Sequence, residues 1–157
     1  MQVNGIPWRT VWHDPDDAAA VHIIDQRVLP FRFVSERLTS VAAVAAAIRD
    51  MQVRGAGCIG ATAAWGMYLA ACEGTVVESA ALLISTRPTA VNLAWAVERQ
   101  LRTIAAAATD KVAAALGGAQ EICEEDIAAC RAIGRHGLAL IAGLAAKKHG
   151  PVNILTQ

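Results

Sequence analysis

Apolar and polar positions along this 157-residue chain follow two rhythms in turn. Up to about residue 34 the apolar runs are short and β-type, as in VHIID (Val21–Asp25), and Pro7, Pro15 and Pro30 interrupt them. That pattern predicts a small antiparallel sheet or hairpin, with DPDD (Asp14–Asp17) as its turn and its edge packed on the helical remainder of the chain. From Thr39 onward apolar residues recur at helical spacing. TSVAAVAAAIRDM predicts a helix capped by Thr39 or Ser40 and ending near Val53. A second helix is expected from about Gly57 to Cys72, closed by Gly74. A short third passes through VVESAALLI, and the break STRP (Ser85–Pro88) comes after it. TAVNLAWAVERQLRTIAAA makes the fourth, with Pro88 placed in its first turn. Beyond Thr109 the pattern predicts a short helix, a Gly117–Gly118 break, and a long helix from about Ala119 to Lys148. That last helix is acidic at its start and basic at its end, as the helix dipole favours. Gly150 and Pro151 stop it, and Val152–Leu155 reads as a buried strand. The expected fold is therefore mainly α, with a small β segment over residues 1–34 and a helical bundle over 35–151. Residues 152–157 read as the start of a further domain.

Composition sharpens the helical reading. Hydrophobic residues make up 55% of the chain and aromatic residues only 4%, with alanine prominent, which favours closely packed helices. Fourteen basic residues balance fourteen acidic ones, so no cationic excess exists to neutralise a phosphate backbone, and nucleic acid is not the expected partner. Arg, Glu and Asp repeatedly cut the apolar runs, so no membrane span is expected. MQVNGIPWRTVWHDPDD lacks a charged-then-apolar leader pattern, which points to the cytoplasm. Cys58, Cys72, Cys123 and Cys130 form no C-x-x-C pair and have no histidine at ligand spacing, so reduced thiols are expected and no metal site. Cys123 and Cys130 are seven apart, on one helix face, and are assigned to the core.

One place invites chemistry. RGAGCIGATAAWGMYLAA (Arg54–Ala71) sets a guanidinium at the mouth of an apolar helix, among small residues. A helix start has unpaired N–H groups and a partial positive charge, and small residues let a ligand approach its backbone. Arg87-Pro88-Thr89 marks a second such start, and proline pushes Arg87 toward extended geometry. Two guanidinium groups and two helix ends on one phosphate would make a strong anion site. Spacing alone leaves open whether they converge or whether Arg54 is a solvated turn residue.

AIRDMQVRGAGCIGATAAWGM (Ala47–Met67) and STRPTAVNLAWAVER (Ser85–Arg99) resemble the two signature stretches of the N-terminal half of the methylthioribose-1-phosphate isomerases. IIDQRVLP (Ile23–Pro30) is similar to that family's L-D-Q-x-x-L-P segment, and VNILT (Val152–Thr156) to its strand entering the catalytic motif. The likeness runs from about Trp8 to Thr156. RPTAVNL favours these isomerases over the related ribose-1,5-bisphosphate isomerases and the regulatory subunits of the initiation-factor-2 exchange factor. The resemblance implies that Arg54, Gly55 and Ala56 contact a sugar phosphate and that Arg87 is a second substrate contact. It implies aldose–ketose isomerisation in methionine salvage, with no metal and no organic cofactor.

The sequence also departs from that family. Gly57 and Cys58 stand where the family has proline and alanine, which gives up rigidity of about 0.5–1 kcal/mol at the helix start. A thiol there raises a nucleophile reading of Cys58, beside the plainer one of a small side chain filling alanine's space. Gln157 replaces the histidine that precedes the family's catalytic cysteine. Neither that cysteine nor the catalytic aspartate of the Rossmann-like C-terminal domain has a counterpart, so no catalytic residue is assigned. The expectation is an isomerase half that is inactive alone and partnered by a C-terminal domain or a second chain. The alternative is a non-catalytic regulatory or sugar-phosphate-binding paralogue, and a third reading is a folded remnant without a ligand. Uncovered apolar faces predict a homo-oligomer in each case.

Overall fold

A computed structural model describes residues 2–155, so Gln157 and the last residue of the VNILT stretch lie outside the described residues. Strands β1 (Gln2–Val3) and β2 (Ile6–Pro7) form a hairpin. Asn4 (φ 52°) and Gly5 (φ 78°) between them both have the positive φ that such a two-residue turn demands. Strands β3 (Val11–His13), β4 (Val21–Ile24) and β5 (Ser35–Leu38) form an antiparallel sheet in that order. DPDD is a turn as expected: Asp17 N–H donates to the Asp14 carbonyl at 2.9 Å and Asp16 N–H to the Asp14 carboxylate at 3.0 Å. The register pairs Val11 with Ile23 and Val21 with Leu38. All four are buried in the cluster that includes the helices, so the sheet meets the bundle through a face rather than the expected edge. A strand whose alternate residues are apolar has a face to bury, and its edge does not do that work.

Helix α1 spans Val41–Arg49. Its start is satisfied twice, by Ser40 Oγ accepting from Ala43 N–H (3.2 Å) and by Glu73 Oε1 accepting from Val41 N–H (3.0 Å). Helix α2 (Ala56–Glu73) ends on Gly74 in the left-handed conformation (φ 74°), as the sequence indicates. Every residue from Ile59 to Ala70 is buried, so α2 is the central element. Its small side chains make that possible. A Cβ on Gly66 would stand 3.0 Å from Val44 Cγ1 and 3.1 Å from Leu83 Cδ1. Helices α3 (Val76–Thr86) and α4 (Val91–Ala106) pack beside it. Buried Gln100 of α4 donates through Nε2 to the carbonyls of Ala64 (3.1 Å) and Ala115 (2.9 Å), tying three helices together.

Several sequence expectations are corrected. Pro88 is not in the first turn of α4: Arg87 to Ala90 form a separate turn, closed by Ala90 N–H on the Arg87 carbonyl (3.0 Å), and α4 begins at Val91. Gly117 and Gly118 do not break the chain, because a single helix α5 runs from Lys111 to Ala145. Gly118 is small for packing, since a Cβ there would stand 2.6 Å from Gln100 Oε1. Val152–Leu155 is neither strand nor buried: Ile154 and Leu155 are exposed, with no neighbouring strand to pair with among the described residues. Cys123 is buried but Cys130, one face-repeat further along α5, is exposed. Among the described residues, which include all four cysteines, no disulfide forms and no group of metal-ligating side chains gathers.

The chain divides into two compact units, Met1–Cys123 and Glu124–Gln157. The first holds the sheet, α1–α4 and the opening of α5, where Ala115, Ala119, Ile122 and Cys123 are buried. The second holds the rest of α5, whose Ile133, Leu138, Leu140 and Leu144 are exposed. By length and composition α5 is also apolar enough to cross a membrane, contrary to the expectation from its charge-interrupted pattern.

Candidate functional site: two open helix starts

The loop between α1 and α2 carries Arg54, Gly55 and Ala56. Arg54 is exposed, Gly55 caps α2, and Ala56 is the first helical residue. Gly55 has φ 90° and ψ 136°, a conformation that L side chains avoid. A Cβ at Gly55 would meet nothing within 4 Å, so the space in front of the helix is open. No side chain among the described residues caps α2, and none caps α4 at Ala90. Helix α1 is capped twice, whereas α2, α3 and α4 have no side-chain bond from their N-cap residues. At α2 and α4 the first-turn amides face outward instead, with the dipole's positive end behind them.

The two open starts are adjacent. Gly60, one turn into α2, lies so close to the beginning of α4 that an added Cβ would stand 2.9 Å from the Asn92 carbonyl oxygen. Arg87, which caps the end of α3, has left the helical region (φ −147°, ψ 83°) without reaching the fully extended geometry expected before proline. Its side chain turns to the α1–α2 loop, where Nη1 lies 3.1 Å from Met51 Sδ. Arg87 therefore reaches, through Met51, the loop that carries Arg54, Gly55 and Ala56.

The IIDQRVLP segment reaches the same loop. Gln26 N–H donates to the Gln52 carbonyl (2.8 Å), and Gln26 Nε2 lies 3.6 Å from Cys58 Sγ in the first turn of α2. Cys58 is half-buried, which suits a space-filling role better than an exposed nucleophile. Asp25 is buried against Arg27, with Oδ2 2.7 Å from Nη2. The Arg27 guanidinium holds the Asp25 carboxyl below its usual value, burial opposes this, and the Arg27 backbone N–H adds to the lowering. Asp25 is thus a paired structural anion. Sequence reasoning missed Gln26 and Met51. Gln26 is 32 residues from Cys58, and no local pattern signals that contact.

A mainly helical chain whose helix starts open onto one corner, and whose residues 52–157 match the Initiation factor 2 subunit family, belongs to that family. Within it the chain is 47% identical, over its whole length, to the methylthioribose-1-phosphate isomerase of Methylorubrum extorquens, and covers 44% of that protein. The chain thus spans less than half the length of the curated relatives it matches. Among solved structures, 5-methylthioribose 1-phosphate isomerase from Pyrococcus horikoshii superposes with a TM-score of 0.66 at 34% identity, over 74% of this chain and 36% of that one. The translation initiation factor eIF-2B delta subunit from A. fulgidus superposes with a TM-score of 0.71 at 32% identity, over 77% and 38%.

Proposed function

We propose that this chain is the N-terminal, substrate-capping half of a methylthioribose-1-phosphate isomerase. In this reading Arg54, Gly55, Ala56 and Arg87 hold the phosphate of methylthioribose 1-phosphate at the joined starts of α2 and α4. The observation that carries it is the close approach of two uncapped helix starts, those of α2 and α4, at Gly60 and Asn92, beside the loop that Arg87 reaches through Met51. Proton transfer to give methylthioribulose 1-phosphate, a step of methionine salvage, falls to a C-terminal catalytic half on the same or a second chain. No metal or organic cofactor is required. The exposed apolar side of α5 then serves protein contact in the cytoplasm, with neither membrane nor nucleic acid as partner. The same side supports homo-oligomerisation, and a monodisperse monomer at high concentration in sedimentation would refute that part.

Reconstitution tests the catalytic reading. The chain is mixed with the C-terminal part of the Methylorubrum extorquens relative and assayed for ketose formation. We expect turnover with both parts, none with either alone, and none when Arg54→Ala is used, at nearly unchanged stability. If Arg54→Ala unfolds the chain, Arg54 is structural and the site assignment fails. A second reading, a regulatory sugar-phosphate-binding relative of the exchange-factor subunits, draws on the higher TM-score of the A. fulgidus delta subunit. Ligand binding without turnover in the reconstituted mixture would select it.

A further inference from the structure

The end of α1 holds an unexpected residue. Gln52 N–H donates to the Ala47 carbonyl (2.9 Å) and Met51 N–H to the Ile48 carbonyl (3.3 Å), the paired closing bonds of a helix that ends on a left-handed residue. That left-handed position is the one where glycine is strongly favoured, as at Gly74 after α2. Here it is occupied by Met51, at φ 60°, a conformation unfavourable for an unbranched L side chain. The residue is 37% exposed and lies outside the buried core, so core burial does not account for the choice. What it does contact is Arg87, whose Nη1 lies 3.1 Å from the thioether sulfur.

We infer that Met51 is a positioning residue for Arg87: its left-handed backbone aims a soft, weakly accepting sulfur at the guanidinium and holds it beside the Arg54–Gly55 loop. A lone arginine at a turn before proline has many rotamers, and an anion that uses it must order them. Fixing one nitrogen on Met51 leaves the other N–H groups available and lowers that ordering cost. This rests on the phosphate site proposed above.

The test compares the full chain with Met51→Gly and Met51→Leu, measuring inorganic phosphate affinity, Tm and the heteronuclear NOE of the Arg87 Nε–Hε group. Met51→Gly relieves the backbone, so Tm holds or rises by about 2 °C, while the phosphate Kd rises about fivefold and the Arg87 NOE falls. Met51→Leu keeps the volume without the sulfur, so affinity and NOE fall with no gain in Tm. A role in stability alone would move Tm and binding together. Unchanged Arg87 order in both variants overturns the inference, whether or not phosphate binds. If wild-type protein binds no phosphate, the site reading fails, and the NOE still decides whether Met51 orders Arg87.

Discussion

Helix α2 and the second half of α5 are both rich in alanine and glycine, yet most of the first is buried and most of the second is exposed. From Ile59 to Ala70 no residue of α2 reaches solvent appreciably, because α1, α3, α4 and the sheet each take a side. Along residues 133–144 of α5, Ile133, Leu138, Leu140 and Leu144 stand open and Ile141 is half-buried. Apolar periodicity reports that a helix wants a partner, and says nothing about whether that partner is present.

Stability measurements should split the two regions cleanly. Met67 is fully buried in α2, so Met67→Ala is expected to cost about 2–5 kcal/mol in urea unfolding. Leu140→Ala, on the exposed stretch, is expected to stay within about 0.5 kcal/mol. Equal losses would mean that α5 is packed in solution as tightly as α2. A finer version uses the neighbouring glycines of α5. Gly118→Ala forces a Cβ against Gln100 Oε1, whose amide is already anchored to two carbonyls, and should cost about 1–3 kcal/mol. Gly117→Ala meets open space and should stabilise the helix by about 0.5–1 kcal/mol. If both destabilise, the helix is interrupted at this pair after all.

Titration gives the smallest effect. Tyr68, the chain's single tyrosine, donates to the Ala18 carbonyl at 2.7 Å. Burial, and then the charge of Cys72 and a hydrogen bond with it, push its pKa up to about 12. The neutral phenol is the form the fold favours, so its contribution is intact below about pH 10, the ordinary tyrosine value, and is lost as pH rises toward 12. Phenolate absorbance should therefore appear only with alkaline unfolding, and Tyr68→Phe should remove that step. Phenolate forming near pH 10 in folded protein would show that the α2 interior is wetter than its packing implies.

The sequence made the positions of α1 to α4 legible because Ser40, Gly74 and the break at Arg87-Pro88 act locally, each through its own backbone. It misjudged Gly117 and Gly118 because a glycine that admits a neighbour looks the same as one that ends a helix. The difference lies in Gln100, 18 residues away. Val152–Leu155 has the composition of a buried strand, and only the absence of a sheet beside it in the described residues reveals otherwise. At the site, Arg54, Gly55, Ala56 and Arg87 could be picked out from their motifs, and Arg87 contacts Met51 in the loop that leads to Arg54. Met51 was readable in principle, since a helix ending without glycine or asparagine is itself a signal.

The bond from Glu73 to Val41 has a mechanical meaning. Nine residues make α1 about 13 Å long and eighteen make α2 about 27 Å. Because Glu73, at the far end of α2, grips the first amide of α1, the six residues 50–55 must span most of the difference, roughly 14 Å of the ~20 Å they could reach fully drawn out. The Arg54 loop is thus tied at both ends, to α1 and to α2, with about a third of its reach in reserve.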